Sequence, residues 1–97
     1  DARDAAALAR QAVFAAKLGH TTQALQHIRR AVELTPGDNT VLYKRAVVHA
    51  LLKQHDEAVE WLLKALENGY SRARASGDPD IESIRKLPQV AARLRQE

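Results

Sequence analysis

Apolar and small residues return along the chain at spacings of three, four or seven. The positions are Leu8, Ala12, Val13 and Ala16, then Ala24, Leu25, Ile28, Ala31 and Val32. The same rhythm resumes at Leu42, Ala46, Val47 and Ala50, and again at Ala58, Val59, Leu62, Ala65 and Leu66. Such spacing places side chains on one stripe of an amphipathic helix. Gly19 ends the first helix, because glycine takes the left-handed position after a helix without a Cβ penalty. Thr21 or Thr22 can cap the second, which runs to about Leu34. Thr35-Pro36-Gly37-Asp38 then breaks the chain, and Asp38 is the expected N-cap of a third helix from Asn39 to about Leu52. A fourth runs from His55 or Asp56 to about Asn68 and stops at Gly69. The connections are short, so sequential helices must lie antiparallel.

Shifted by 34 residues, the sequence overlays on itself. Leu8 falls on Leu42, Ala12 on Ala46, Val13 on Val47, Ala24 on Ala58, Ile28 on Leu62 and Ala31 on Ala65. A helix pair repeated every 34 residues is the tetratricopeptide period. Ala24-Leu25, Ile28, Ala31-Val32, Leu34 and Pro36 resemble the second-helix half of that family's motif, as do Ala58-Val59, Leu62 and Ala65-Leu66. The small residues let helices approach at the near end of the 8–10 Å range. Lys53 stands where the family often has Gly, Gln11 and Arg45 where it often has Leu, and Tyr70 where its second Pro would be. The resemblance implies an all-α, right-handed superhelix of antiparallel helix pairs. Repeat one covers about residues 5–38, and repeat two about 39–72.

Beyond Tyr70 the overlay decays. Asp78-Pro79 reads as an N-cap followed by Pro at the first helical position. Pro88 opens a last short helix with Val90 and Leu94 on one face. This tail resembles the segment that follows tetratricopeptide repeats in some bacterial regulatory proteins, including membrane-linked serine/threonine kinases. Residues 73–97 are therefore expected to form a degenerate third unit that caps the stack, since an uncapped terminal repeat exposes its apolar face.

Composition narrows the chemistry. The chain has 97 residues, no Cys, and 15 Lys+Arg against 12 Asp+Glu. One domain is the expectation. Disulfides and thiol catalysis are excluded. No apolar run approaches the roughly 18–20 residues that cross a bilayer, so membrane insertion is not expected. No signal peptide is visible, which leaves a cytoplasmic location as the expectation. The absence of Met, even at position 1, suggests a piece of a longer protein.

The four His residues offer no metal site. His20 and His55 fall in inter-helix turns, and His27 and His49 lie on separate helices without the spacing that pairs two ligands on one face. His49 reads as a packed core residue, hydrogen-bonded to a neighbour. Thr21, Thr22, Ser71, Ser76 and Ser83 are explained as caps and turns. The four glycines are isolated, so there is no phosphate loop. No catalytic site, metal or cofactor is expected. The tail from Arg72 carries a small basic excess but no aromatic for base stacking, which speaks against nucleic acid. Trp61 is expected to pack against the cap near Tyr70.

The family resemblance implies a concave face lined by the first helix of each pair. Carried onto this chain, its binding residues are Val13 and Lys17 from repeat one, with Tyr43, Lys44, Val47 and Leu51 from repeat two. Val13 and Lys17, like Val47 and Leu51, share a helix face by their i, i+4 spacing. The Lys/Asn set with which chaperone-binding members clamp a terminal carboxylate is missing, because Ala9 and Val13 hold two of its positions. The expected partner is a protein or peptide segment that is apolar with acidic character. The alternatives are a structural spacer, or a self-association element forming a homodimer; nucleic-acid binding through the tail ranks last.

Overall fold

The computed structural model describes residues 3–95, which form seven α-helices and one 3₁₀ turn, with no strand. Asp1, Ala2, Gln96 and Glu97, the last two within the expected capping unit, lie outside the described residues. Helices α1 (Ala5–Lys17) and α2 (Thr21–Leu34) make one antiparallel pair, and α3 (Asn39–Leu51) and α4 (His55–Glu67) the next. Three short elements follow: α5 (Arg72–Ser76), the 3₁₀ turn Pro79–Ile81 and α6 (Glu82–Arg85). The last is α7 (Pro88–Leu94). The molecule measures 37 × 25 × 19 Å.

Both repeats start the same way. Asp4 accepts a hydrogen bond from the Ala7 backbone N–H at 3.0 Å, and Asp38 from those of Thr40 and Val41 at 2.9 and 3.1 Å. Each satisfies donors that a helix N-terminus leaves unpaired. The first helix of each pair also ends the same way. The His20 N–H reaches back to the Ala15 carbonyl at 2.9 Å, and Gln54 N–H to His49 at 2.8 Å. Tyr70 N–H closes α4 onto Ala65 at 3.0 Å. These are the six-to-one bonds of a Schellman ending, which needs a left-handed residue just before the donor. Gly19 (φ 79°) and Gly69 (φ 97°) fill that role, and so does Lys53 (φ 63°), a side chain in a backbone region that favours glycine.

One expectation is corrected. Neither Thr21 nor Thr22 caps α2: the N-cap is His20, with no side-chain hydrogen bond, and the threonines lie inside the first turn. The Schellman closure through His20 leaves no spare residue, so α2 begins at once.

The small-residue register becomes two adjoining cores. Ala12, Ala24 and Ala31 are fully buried with Ile28, Val41 and Val48 in the first. Ala46, Ala58 and Ala65 are fully buried with Leu62 in the second, which Ala75, Ile81, Ile84 and Val90 of the C-terminal segment complete. The half-buried Val13, Val32 and Leu51 touch both cores.

Candidate functional site

Side by side, α1 and α3 build the face expected to bind a partner. Its centre is Tyr43, and Tyr43 is only 4% exposed. Its ring lies flat on that of Tyr70, centroids 3.9 Å apart and planes within 5°. Its hydroxyl donates to Asp78 Oδ2 at 2.6 Å. Burial, and then that acceptor, push the phenol well above its ordinary range, so it stays a donor. The other Asp78 oxygen accepts from the Asp80 backbone N–H at 2.9 Å, which holds the 3₁₀ turn in shape. Arg85 donates to the carbonyls of Asp78 and Ser76 at 3.2 and 3.0 Å and pins the turn from behind. Asp80 then reaches Lys17 on α1 at 3.5 Å.

This face therefore carries a segment of its own chain. Asp78-Pro79-Asp80-Ile81 lies against α3, with Ile81 sunk completely into the second core. Of the six expected binding residues, the structure closes Tyr43 and Val47, the latter 3% exposed. The physical reason is that the Tyr70 ring and Asp78 cover Tyr43, while Val47 belongs to the second core together with Ile81. Val13, Lys44 and Leu51 are half-buried, and Lys17 is exposed. The residues sequence reasoning missed are Tyr70, Asp78 and Asp80. The available signal was chemical: the Asp-Pro-Asp run has the acidic, apolar character that this face was expected to select.

Elsewhere, among the described residues, His49 is the polar residue buried in the fold. His49, 4% exposed, lies with Nδ1 2.7 Å from Gln54 Oε1, and Arg45 Nε donates to its Nε2 at 3.4 Å. An acceptor at Nε2 and a carbonyl oxygen at Nδ1 fit the neutral ring with its proton on Nδ1. Burial, the largest influence, lowers its pKa below 6.5. Trp61 lies half-buried under two cations, Arg45 at 4.0 Å and Lys64 at 4.2 Å from the ring centroid. Among the described residues, no group of three or more His, Asp or Glu is placed to hold a metal ion, and no helix is long and apolar enough to cross a membrane.

Comparison with known proteins agrees with the register. The sequence profile of the family described as Tetratricopeptide repeat matches residues 11–79. A 49-residue stretch is 39% identical to part of the Hsp70-Hsp90 organising protein of Plasmodium falciparum (isolate 3D7). That stretch is 50% of this chain and 9% of that protein. No solved structure matches significantly.

Proposed function

This chain belongs to the tetratricopeptide repeat family, and from that premise we propose that it is a non-catalytic protein–protein interaction module. Its first-helix face takes a partner segment of apolar and acidic character. One observation carries this: the segment already lying there is Asp78-Pro79-Asp80-Ile81, held through Tyr43 and Lys17. A partner of the same chemistry fits the remainder of the face, beside that turn, along Val13, Lys17, Lys44 and Leu51. Lys17 and Lys44 steer it electrostatically, and this shows mainly in association rate and salt dependence. The relative is named for organising two chaperones, and an interaction role is in keeping with that name. The tail's resemblance to bacterial regulatory proteins would place the module in a larger bacterial protein, in the cytoplasm.

The test is titration with a fluorescent library of short acidic–apolar peptides. Lys17→Glu and Lys44→Glu are each expected to lose at least tenfold in affinity, with Glu60→Ala on α4 unchanged. Equal binding by all variants would move the partner off this face. A second reading, the structural spacer, draws on the same observation: where the chain fills its own groove, stacking alone is a sufficient role.

A further inference from the structure

Charge reaches the first-helix face from two sources. Helices α1 and α3 contain no acidic residue, and by their spacing Arg10, Lys17 and Lys44 stand on the stripe that carries Val13, Val47 and Leu51. The carboxylate comes from the C-terminal segment. Asp80, its side chain 31% exposed, reaches Lys17, 53% exposed, at 3.5 Å. Among the described residues, Arg10 and Lys44 pair with no carboxylate. Asp78 is already engaged, because the Tyr43 hydroxyl takes one of its oxygens at 2.6 Å and the Asp80 N–H the other at 2.9 Å. The two parts of Asp80 behave differently. Its backbone is fixed: its N–H is bound to Asp78, Arg85 holds the Asp78 carbonyl, and the adjoining Ile81 is fully buried. Its carboxylate is free to turn, because an ion pair this exposed is weak and screened by salt. The main chain therefore keeps a negative charge beside Lys17 whichever way the side chain points.

We propose that Asp80 is a built-in competitor for Lys17: an acidic side chain of the partner engages the first-helix face by taking Lys17 from Asp80, while the C-terminal segment stays docked. This rests on the function proposed for that face and adds its regulation. Displacing the segment would draw Ile81 out of the second core, whereas exchanging one carboxylate for another at an exposed lysine uncovers nothing apolar. The exchange is the easier route. After it, the Asp80 carboxylate stays close to the incoming acid and repels it. Lys17 thus gives the partner less than Lys44 does, since Lys44 has no such competitor. The segment lowers the affinity of the face for acidic partners without closing it. A neutral apolar partner meets no competition, so Asp80 also sets how strongly the face selects for acid.

The probe is the member of the acidic–apolar peptide library that binds the wild type most tightly, read by fluorescence anisotropy at low ionic strength. Asp80→Asn should tighten it about threefold, the scale of an exposed ion pair. Glu82→Gln removes the same charge two residues away, from an exposed side chain on α6, and should leave binding unchanged. Lys17→Met should cost about twofold in the wild type and about sixfold in Asp80→Asn, where the lysine is wholly the partner's. The same peptide with its Asp and Glu changed to Asn and Gln should not distinguish Asp80→Asn from the wild type. Amide hydrogen exchange over residues 78–81 should match in the two proteins, because the segment stays docked. Wild-type affinity in Asp80→Asn overturns the proposal and leaves the reading of the face intact. An equal gain in the Lys17→Met background also overturns it, since Asp80 would then repel acids without competing for the lysine. So does faster exchange over residues 78–81 in Asp80→Asn, since the gain would then come from undocking. If no library member binds either protein, the reading of the face fails and the proposal falls with it.

Discussion

The two ends of the stack use the same repeat and meet opposite fates. At the C-terminal end, Ile81, Ile84 and Val90 are fully buried and complete a core with Leu62 and Leu66. At the N-terminal end, Phe14 and Leu18 stand in solvent. The local sequence is not the cause, since Phe14 matches the fully buried Val48 in register. What differs is the neighbour. Burial in a stacked repeat belongs to the interface between units more than to the unit itself. An exposed aromatic there is a statement about what comes next to it.

The comparison is broken most severely by deleting residues 78–97. Removal strips the cover from Tyr43, Val47 and Leu66, and thermal unfolding should lose its cooperativity or end in aggregation. A truncated chain that stays monomeric with an unchanged melting temperature would refute the capping role. The next effect is smaller and contrasts the ends directly. Ile84→Ala should cost about 2–5 kcal/mol in urea unfolding, whereas Phe14→Ala should stay within about 0.5 kcal/mol. Equal losses would mean that the exposed end is as well packed as the closed one.

A third difference separates the repeats by pH. His49 in repeat two corresponds to Ala15 in repeat one. The folded protein holds the His49 ring neutral by burial, so its pKa lies below the unfolded value of 6.5. The unfolded chain therefore binds the proton more readily. Stability is complete above pH 6.5 and falls as the pH drops through the lower folded value. Urea midpoints from pH 7.5 to 5 should decline in the wild type and decline less in His49→Ala, where His20, His27 and His55 remain as an internal control. Parallel slopes would remove His49 from the account. The smallest effect is at the helix endings. Lys53→Gly makes the second ending resemble the first and should stabilise by about 1 kcal/mol, and Gly19→Ala should destabilise by a similar amount. A loss in Lys53→Gly would show that the lysine stem contributes packing worth more than its backbone strain.

Much of this architecture was legible because it is local. The Ala12/Ala24/Ala31 set and its shifted copy fix both helix pairs, and Asp38 caps α3 as its sequence context predicts. What was not legible depends on distance or on competition. Helix α5 has five residues before Gly77 ends it, too few for a periodic signal. Thr21 and Thr22 are good capping residues, but the chain reversal at Gly19 decides where the helix starts. The occupied groove was hidden because Asp78 does two things. Its role as N-cap is visible from Pro79 beside it, while its bond to Tyr43 spans 35 positions and leaves no local trace. The repeat pattern predicts only the α1 and α3 side of the first-helix face, and the segment that covers part of it comes from the region where that pattern fades.

The Tyr43–Tyr70 stack has an optical consequence. The chain has two tyrosines, and both are in that stack, while its single Trp lies under Arg45 and Lys64. Parallel rings in contact couple their transition dipoles, so the tyrosine band in near-ultraviolet circular dichroism reports on one joint. Undocking of the C-terminal segment would take the Asp78 acceptor from the Tyr43 hydroxyl and so shift that band, while the four long helices kept their far-ultraviolet signal. The protein thus carries, without any label, a spectroscopic gauge of whether its first-helix face is covered or free.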